Sequence, residues 1–584
     1  IYPPVQQPRL LLTGMSNQQH GVVSVAGAPP AEPSNTKDTV ISVLISLVLA
    51  FVFRGFVVEG FQIPTGSMAP TLLGAHMRFQ SPVTGAEWTV APWEYLDGGF
   101  DFPAPVQRTG REGPIVVHDP MSNYRLSPRA MPALSGDRVF VLKYQFSIFD
   151  PARFDIVVFK NPQKPQENVI KRLVGLPNEQ VAIVDGDIFV RPASSADQDP
   201  LHPWEGEGWS IARKPELVQR AVWQSIFESQ YTPASARIDG RQWFYCPWTP
   251  STPGWEMNDR PTYHYGQSSP TRLDWDIERW PLVDRFPYNE ADLRSQVGPS
   301  AVLLGSMWRP TYPHQGPMLY YPVSDLRVAA GVKPQDNGLQ GAFNIVARGH
   351  QFQALLAEGT ATINMREDPA IVGEDRPWTA LATAQVPGLF TPGRVSMVEF
   401  WHVDQSLKVW IDGRPIVHAQ YAWSPAQRIA HAMGLTLRDV EESTAGGARP
   451  GVLVDGTKYR RPGVSIAFQG SPVTLSRVGL WRDLHYQATN KGGIVGPPGL
   501  TTDPRTVLTT SPDQFFCCGD NSPSSLDGRA WNSVDPWVAA EFDSTIGVVH
   551  RSLLIGKAFF VYLPAADPNR RIPIPDVGRM RLIW

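Results

Sequence analysis

The chain has 584 residues, 42% hydrophobic and 18% charged, with a formal net charge of −3. That length predicts about three or four structural units rather than one. The composition excludes a disordered chain, and the absence of a basic excess argues against nucleic acid as a partner. Pro (57), Gly (49) and Trp (19) are all abundant, which predicts a β-rich protein with many turns and long loops.

Residues 1–38 are rich in Pro, Gly, Gln and Ser without periodicity and read as a flexible tail. From Thr39 to Phe53 the run TVISVLISLVLAFVF carries no charge. Its ~15 residues would make a helix of ~22 Å, short of a membrane span. With Arg54 snorkelling and Phe56, Val57 and Val58 continuing the run, a single anchor over 39–58 is expected. A buried core helix would show a polar face, which this run lacks. A cleaved signal would be followed by a small-x-small site, which Arg54–Val58 does not offer. Everything large lies C-terminal to the anchor and is expected to be translocated.

Between about Gly74 and Ser135 the chain is loop-like. Gln80–Gly85 and His118–Asn123 have the look of paired knuckles of a zinc ribbon whose cysteines are gone. Without thiols they read as plain turns, and no metal site follows. Strands are expected at Arg138–Tyr144, Phe154–Lys160 and Asn168–Gly175, and a hairpin Gln180–Val184/Ile188–Val190 turns across Asp185-Gly186-Asp187. Residues 59–190 thus read as a first β unit. Residues 191–318 read as irregular apart from an amphipathic helix over Pro215–Gln230. Residues 319–490 read as a β-sandwich, 491–512 as a linker, and 513–584 as a return to the first β unit.

Cys246, Cys517 and Cys518 are the only cysteines. Neighbouring cysteines rarely bridge each other, so small buried side chains are expected, with a bridge from Cys246 to one of the pair left open.

One lysine stands out. Lys171 sits in a Val/Ile/Leu-rich strand next to Arg172, and alternation sends the two to opposite faces. A buried lysine loses its proton readily, whereas an arginine does not. Such an amine can serve as general base for a serine hydroxyl. The bland alternative is a surface cation on an edge strand.

Ile63-Pro64-Thr65-Gly66-Ser67-Met68-Ala69-Pro70-Thr71-Leu72 resembles the nucleophile box of bacterial type I signal peptidases. Gly136-Asp137-Arg138-Val139 resembles their next box, Phe154–Phe159 with Ile170–Pro177 the lysine-bearing box, and Gly519–Trp531 the last. Ile555–Phe560 is similar to the closing strand. The boxes occur in the family's order and cover under half the chain. The resemblance implies Ser67 as nucleophile and Lys171 as general base. It places the oxyanion at the Ser67 N–H and the Thr65 hydroxyl, with Ser525 hydrogen-bonded to the Lys171 amine. It implies ion pairs Asp520–Arg172 and Asp527–Arg529 holding the last box, and Met68 beside the substrate cleft. It implies no cofactor or metal, and as partners the signal peptides of exported pre-proteins at the bacterial cytoplasmic membrane, bound extended with small residues in shallow pockets. The departures from the pattern, such as Asn178-Glu179, Gly528 and Ala530, remove no catalytic group.

The segment between Arg191 and Pro512 is an insertion. Its later half, through WHVDQSLKVWIDGRPI and Leu475–Asp483, resembles a laminin-G or lectin-like sandwich. Trp243, Trp248, Trp255, Trp401 and Trp410 would either stack on a glycan or pack the core, and core packing is the commoner fate. The fold expected is therefore mainly β: an anchor helix and a peptidase β domain interrupted by a sandwich. The function expected is a membrane-anchored Ser/Lys endopeptidase. The alternative is an inert scaffold presenting a glycan- or protein-binding module.

Overall fold

The computed structural model describes residues 36–52, 57–92, 104–107, 115–198, 203–257, 260–289, 311–312, 316–317, 320–444, 451–489, 497–565 and 577–584. The tail before residue 36, Arg54 and residues 491–496 of the expected linker lie outside these residues.

A helix spans Thr36–Val52 and belongs to a unit of its own, separate from Phe56–Trp584. Its apolar side chains are exposed along its length, from Val40 to Phe51. The expected span over 39–58 needs correction. The helix has 17 residues, and among the described residues no helix is long and apolar enough to cross a membrane. Val58 is already strand: Val58–Gln62 (β1) pairs with Arg138–Leu142 (β2). The Val-x-Gly-Phe pattern after Arg54 is satisfied by a sheet neighbour rather than by helix.

The central sheet of the second unit is built from both ends of the chain. Ile156–Asn161 (β3) and Lys164–Gly175 (β4) form a hairpin. Gln514–Cys518 (β7) lies on the other side of β4, followed by Val548–His550 (β8). Leu554–Leu563 (β9) bridges β2 and β3. The order across the sheet is therefore β1-β2-β9-β3-β4-β7-β8. One core beneath it joins Ile63, Met68, Val139, Ile156, Ile170 and Val561, and another joins Phe159, Leu173, Cys517 and Trp531.

Glu179–Val184 (β5) and Asp187–Pro192 (β6) form the expected hairpin. Asp185 and Gly186 both take positive φ (51° and 85°), as a two-residue turn matched to strand twist requires. The insertion leaves and re-enters beside this hairpin. Ser210–Ile211 pairs with β6, and Leu508–Thr509 pairs with β5. Its two ends thus meet on one small sheet, which is how some 300 residues fit between neighbouring strands without opening them.

Inside the insertion two antiparallel sheets enclose one core that includes Val328, Phe343, Ile345, Phe352, Phe400 and Ile466. Buried and half-buried positions alternate through Gln340–Ala347 and His350–Ala357, as strands with one face on a core must. Within 319–490, expected as a β-sandwich, strands include Gln340–Ala347, His350–Ala357, Thr360–Glu367, Ser396–Val403 and Gly463–Gln469. The stretch before them is not irregular: Gln224–Glu228 and Thr262–Tyr265 join one sheet, Trp248–Pro250 and Thr271–Trp275 the other. The helix expected over Pro215–Gln230 is only Glu216–Val222, because Gln224–Glu228 gains backbone partners on the sheet edge. Trp248, Trp401 and Trp410 are buried, so these three are packing residues rather than sugar platforms. Trp243 packs edge-on against Tyr124, and Trp255 stacks on Tyr265. All three cysteines are free.

The two knuckles do face each other. Thr84 Oγ1 and Ser122 Oγ each donate to Asp119 Oδ2 at 2.7 Å, and Ser81 Oγ accepts from the Val83 and Thr84 amides. Hydrogen bonds among Ser, Thr and Asp hold the turns together, in keeping with the reading as plain turns.

Candidate active site

Ser67 lies in a short 3₁₀ turn, Gly66–Met68, entered from extended Thr65. The turn is held from outside. The Asn521 amide N–H donates to Ser67 O (3.0 Å), and Asn521 Nδ2 donates to Gly66 O (2.9 Å). The Leu73 N–H donates to the Asp137 carboxylate (2.9 Å). Gly519 passes so close that a Cβ there would lie 2.5 Å from Ser67 O, which accounts for glycine at that position.

Lys171 comes from β4, an interior strand flanked by β3 and β7, so the edge-strand alternative does not apply. Its Nζ lies 2.7 Å from Ser67 Oγ and 3.2 Å from the Ile170 carbonyl oxygen. Both groups are buried, Ser67 at 7% exposure and Lys171 at 4%. No carboxylate lies within ion-pair distance of the amine among the described residues. Burial lowers the Lys171 pKa below 10.5, against the more distant pull of Asp527 and the thiols of Cys517 and Cys518. A buried amine with a hydroxyl neighbour and no counter-ion favours its neutral form, which can accept a proton.

Arg172, the next residue, has the opposite fate. It is fully buried and grips Asp520 with two bonds, Nε to Oδ1 at 2.8 Å and Nη2 to Oδ2 at 2.7 Å. Thr71 Oγ1 donates to the same carboxylate (2.6 Å), tying the last box to the nucleophile turn. Asp527 accepts from Arg529 Nε (2.9 Å) and Nη2 (2.8 Å) and from the Gly519 N–H (2.9 Å). Arg529 in turn donates to the Gln487 carbonyl and to Ser522. Both charge pairs serve as braces for the 519–529 loop.

Two site residues, Ser525 and Met68, differ from expectation. Ser525 is buried near Ser67, but among the described residues its hydroxyl makes no hydrogen bond to the Lys171 amine. Met68 is wholly buried in the sheet core and shows no surface to a cleft. Its apolar side chain fills space under the turn. Thr65 is exposed, and its hydroxyl is not spent on capping the turn.

The insertion's part in the site has no local signal in the sequence. The Tyr288 ring packs on Gly66, its hydroxyl donates to Ala75 O (2.7 Å), and its carbonyl accepts from Ala91 N. Asn289 and Asn521 exchange amide hydrogen bonds at 2.7 and 2.8 Å. The insertion therefore holds the residue that holds Ser67. Tyr288 and Asn289 follow Phe286-Pro287 in a stretch without periodicity, and only a long-range contact reveals their role.

A family model matches the part of the chain that holds Lys171. The model described as "Signal peptidase, peptidase S26" matches residues 115–207. Residues 115–207 are therefore similar to that family. Signal peptidase I of Rickettsia bellii (strain OSU 85-389) is 26% identical over 162 residues, 27% of this chain and 42% of the relative. Signal peptidase I of Pseudomonas fluorescens is 31% identical over 153 residues, 26% of this chain and 37% of the relative. The chain thus spans about two fifths of the length of these curated relatives. Among solved structures, a carbohydrate binding module CBM66 from Bacillus subtilis matches 40% of this chain and 94% of its own at 8% identity and a TM-score of 0.21. Sheep galectin-11 matches 27% and 92% at 11% identity and 0.17. At such scores neither likeness carries an argument.

Proposed function

We propose that the chain is a Ser/Lys endopeptidase that removes signal peptides from exported pre-proteins. The observation that carries this reading is the 2.7 Å approach of a buried, carboxylate-free Lys171 amine to Ser67 Oγ. With the amine neutral, the Ser67 hydroxyl donates to Lys171 Nζ and its oxygen attacks the scissile carbonyl. Lys171 takes the proton and passes it to the leaving amine, and an acyl ester remains on Ser67. The same amine then deprotonates the water that frees the acyl group. The oxyanion is assigned to the Ser67 N–H and the exposed Thr65 hydroxyl. Asp520–Arg172 and Asp527–Arg529 keep the 519–529 loop on the turn. Ser525 has a role only if its hydroxyl rotates or shifts to the amine when substrate enters.

The edge of β1 supports the substrate mode. Among the described strands β1 pairs only with β2, and its chain runs directly into the Ser67 turn. An extended peptide can add along that edge and present a small-x-small sequence to the serine. The exposed apolar helix Thr36–Val52 supports attachment to a bilayer, where such pre-proteins arrive.

The test is cleavage of a pre-protein whose signal ends in Ala-x-Ala, by the full chain in neutral detergent. Wild type is expected to cut at that site, and Ser67→Ala and Lys171→Ala to be inactive. Cleavage retained in Lys171→Ala overturns the dyad. A folded wild type that leaves every such pre-protein intact favours the inert scaffold instead.

A further inference from the structure

A cavity of about 510 Å³ lies between the peptidase part and the insertion. Pro70 and Leu73, just beyond the nucleophile turn, form one wall, and Trp223 to Ile226 with Phe286 form another. Ser67, Lys171 and Ser525 do not line it, so it is a site apart from the dyad. Its size is that of a small-molecule pocket.

The charge in this cavity is one-sided. Six arginines line it, against a single carboxylate, Glu87. Arg482 is the most telling. It is 2% exposed, and it donates to the carbonyls of Asp483 (3.0 Å) and Arg285 (2.9 Å), with Phe286 under its plane. No carboxylate lies within ion-pair distance of it among the described residues. Burial pulls its guanidinium down to about 10. A guanidinium removed from water without a counter-ion is costly, so an anion beside it would be stabilising. Arg279, half exposed, reaches Asp276 only at 3.7 Å.

A second observation is independent of charge. Trp88 Nε1, Trp223 Nε1 and Gln224 Nε2 are buried donors with no acceptor, and all three residues line the cavity. Buried donors are nearly always satisfied, so the lining calls for acceptor oxygens. Leu73, Ile226, tryptophan rings and prolines give the wall an apolar part as well.

We propose that this cavity binds a small amphiphilic anion, an acyl or aryl body with one phosphate or carboxylate head, and that Arg482 is its counter-ion. The body packs on Leu73, Ile226 and the tryptophan rings. The head takes charge-assisted bonds from the guanidinium and hydrogen bonds from the unpartnered N–H groups.

The test titrates the full chain in digitonin with dodecyl phosphate, with inorganic phosphate and with dodecyl maltoside, read by calorimetry and tryptophan fluorescence. Dodecyl phosphate is expected to bind at least about tenfold more tightly than either control. Arg482→Met is expected to weaken it by about tenfold or more. Should Arg482→Met fail to fold, Arg279→Ala and Trp88→Phe, which removes one N–H, replace it, each with an expected loss of a few-fold. Equal affinity for dodecyl maltoside reduces the cavity to a greasy cleft and overturns the proposal. Equal affinity for inorganic phosphate overturns the amphiphile. Unchanged binding in all the variants that fold overturns the site.

Discussion

Two buried lysines in this molecule have opposite chemistry. Lys171 Nζ meets a hydroxyl and a carbonyl. Lys214 Nζ lies between Asp404 (2.6 Å) and Asp483 (2.8 Å). Desolvation pulls both amines down. At Lys171 nothing close opposes it and the pKa falls. At Lys214 the carboxylates of Asp404 and Asp483 outweigh it, and the pKa is held well above the ordinary value. Burial alone does not make a base; burial without a carboxylate does.

Lys214 belongs to a larger array. Asp187, Asp325, Asp404 and Asp483 bring carboxylate oxygens within 4.8 Å of one another, a spacing that suits a cation. The cations there are the protein's own. Lys214 bridges two of the carboxylates, and Arg348 bonds Asp185 and Asp325. Arg428 bonds Asp185 and Asp187. Asp185 and Asp187 sit at the β5–β6 turn of the peptidase part and the others in the insertion, so the array fastens one to the other.

Exchanging the two lysines' fates is the sharpest way to break this comparison. Lys171→Met is expected to lower kcat for pre-protein cleavage by at least about 10³-fold while leaving the melting temperature unchanged or higher, since it removes a buried unpaired amine. Lys214→Met is expected to do the reverse. It strands two buried carboxylates, costs about 3–5 kcal/mol in chemical denaturation, and leaves kcat per folded molecule unchanged. A stability loss at Lys171 matching that at Lys214 would erase the distinction.

The next effect is on the support of the turn. Asn289→Ala removes the insertion's hold on Asn521, and a drop in kcat of about tenfold is expected, with little change in melting temperature. An unchanged kcat would make the insertion a bystander to catalysis. The pH profile comes next. Because the folded Lys171 pKa lies below 10.5, kcat should rise with pH along the amine's titration and level off before that value. The same shift means the folded state disfavours the ammonium, so Lys171→Met should gain stability relative to wild type as pH falls below 10.5. A flat rate profile across the neutral-to-alkaline range would sink Lys171 as base. The smallest effect is at the half-exposed pair Arg220–Glu216, where Glu216→Ala is expected to cost less than about 0.5 kcal/mol.

What the sequence made legible follows from where the constraint is local. Ser67 and Lys171 sit in short boxes whose turn formers and strand pattern are visible residue by residue, and the structure brings them together. The β5–β6 hairpin was legible from Asp185-Gly186, and the later sandwich strands from their alternation. Lys214 was not legible as a buried cation, because nothing near Ala212-Arg213-Lys214 signals that Asp404 and Asp483 will close on it. Gln224–Glu228 read as the tail of a helix because its strand partner, Val473–Arg482, lies some 250 residues away. Ser525 was placed by its box, but its hydroxyl direction is set by packing that no box encodes.

The order of the chain along the sheet bears on timing. Arg172 and Asp520 are 348 residues apart, so synthesis at ~5–20 residues per second puts the second half of the brace on the order of tens of seconds behind the first. Until β7 and the loop after it arrive, β4 is a bare edge, Arg172 has no carboxylate, and the Ser67 turn lacks Asn521. A newborn chain therefore carries both halves of the dyad for most of its synthesis without the means to hold them in register. On the proposed reading, activity waits on Gln514–Cys518 and the 519–529 loop, and their removal is expected to silence it however intact the serine and lysine remain.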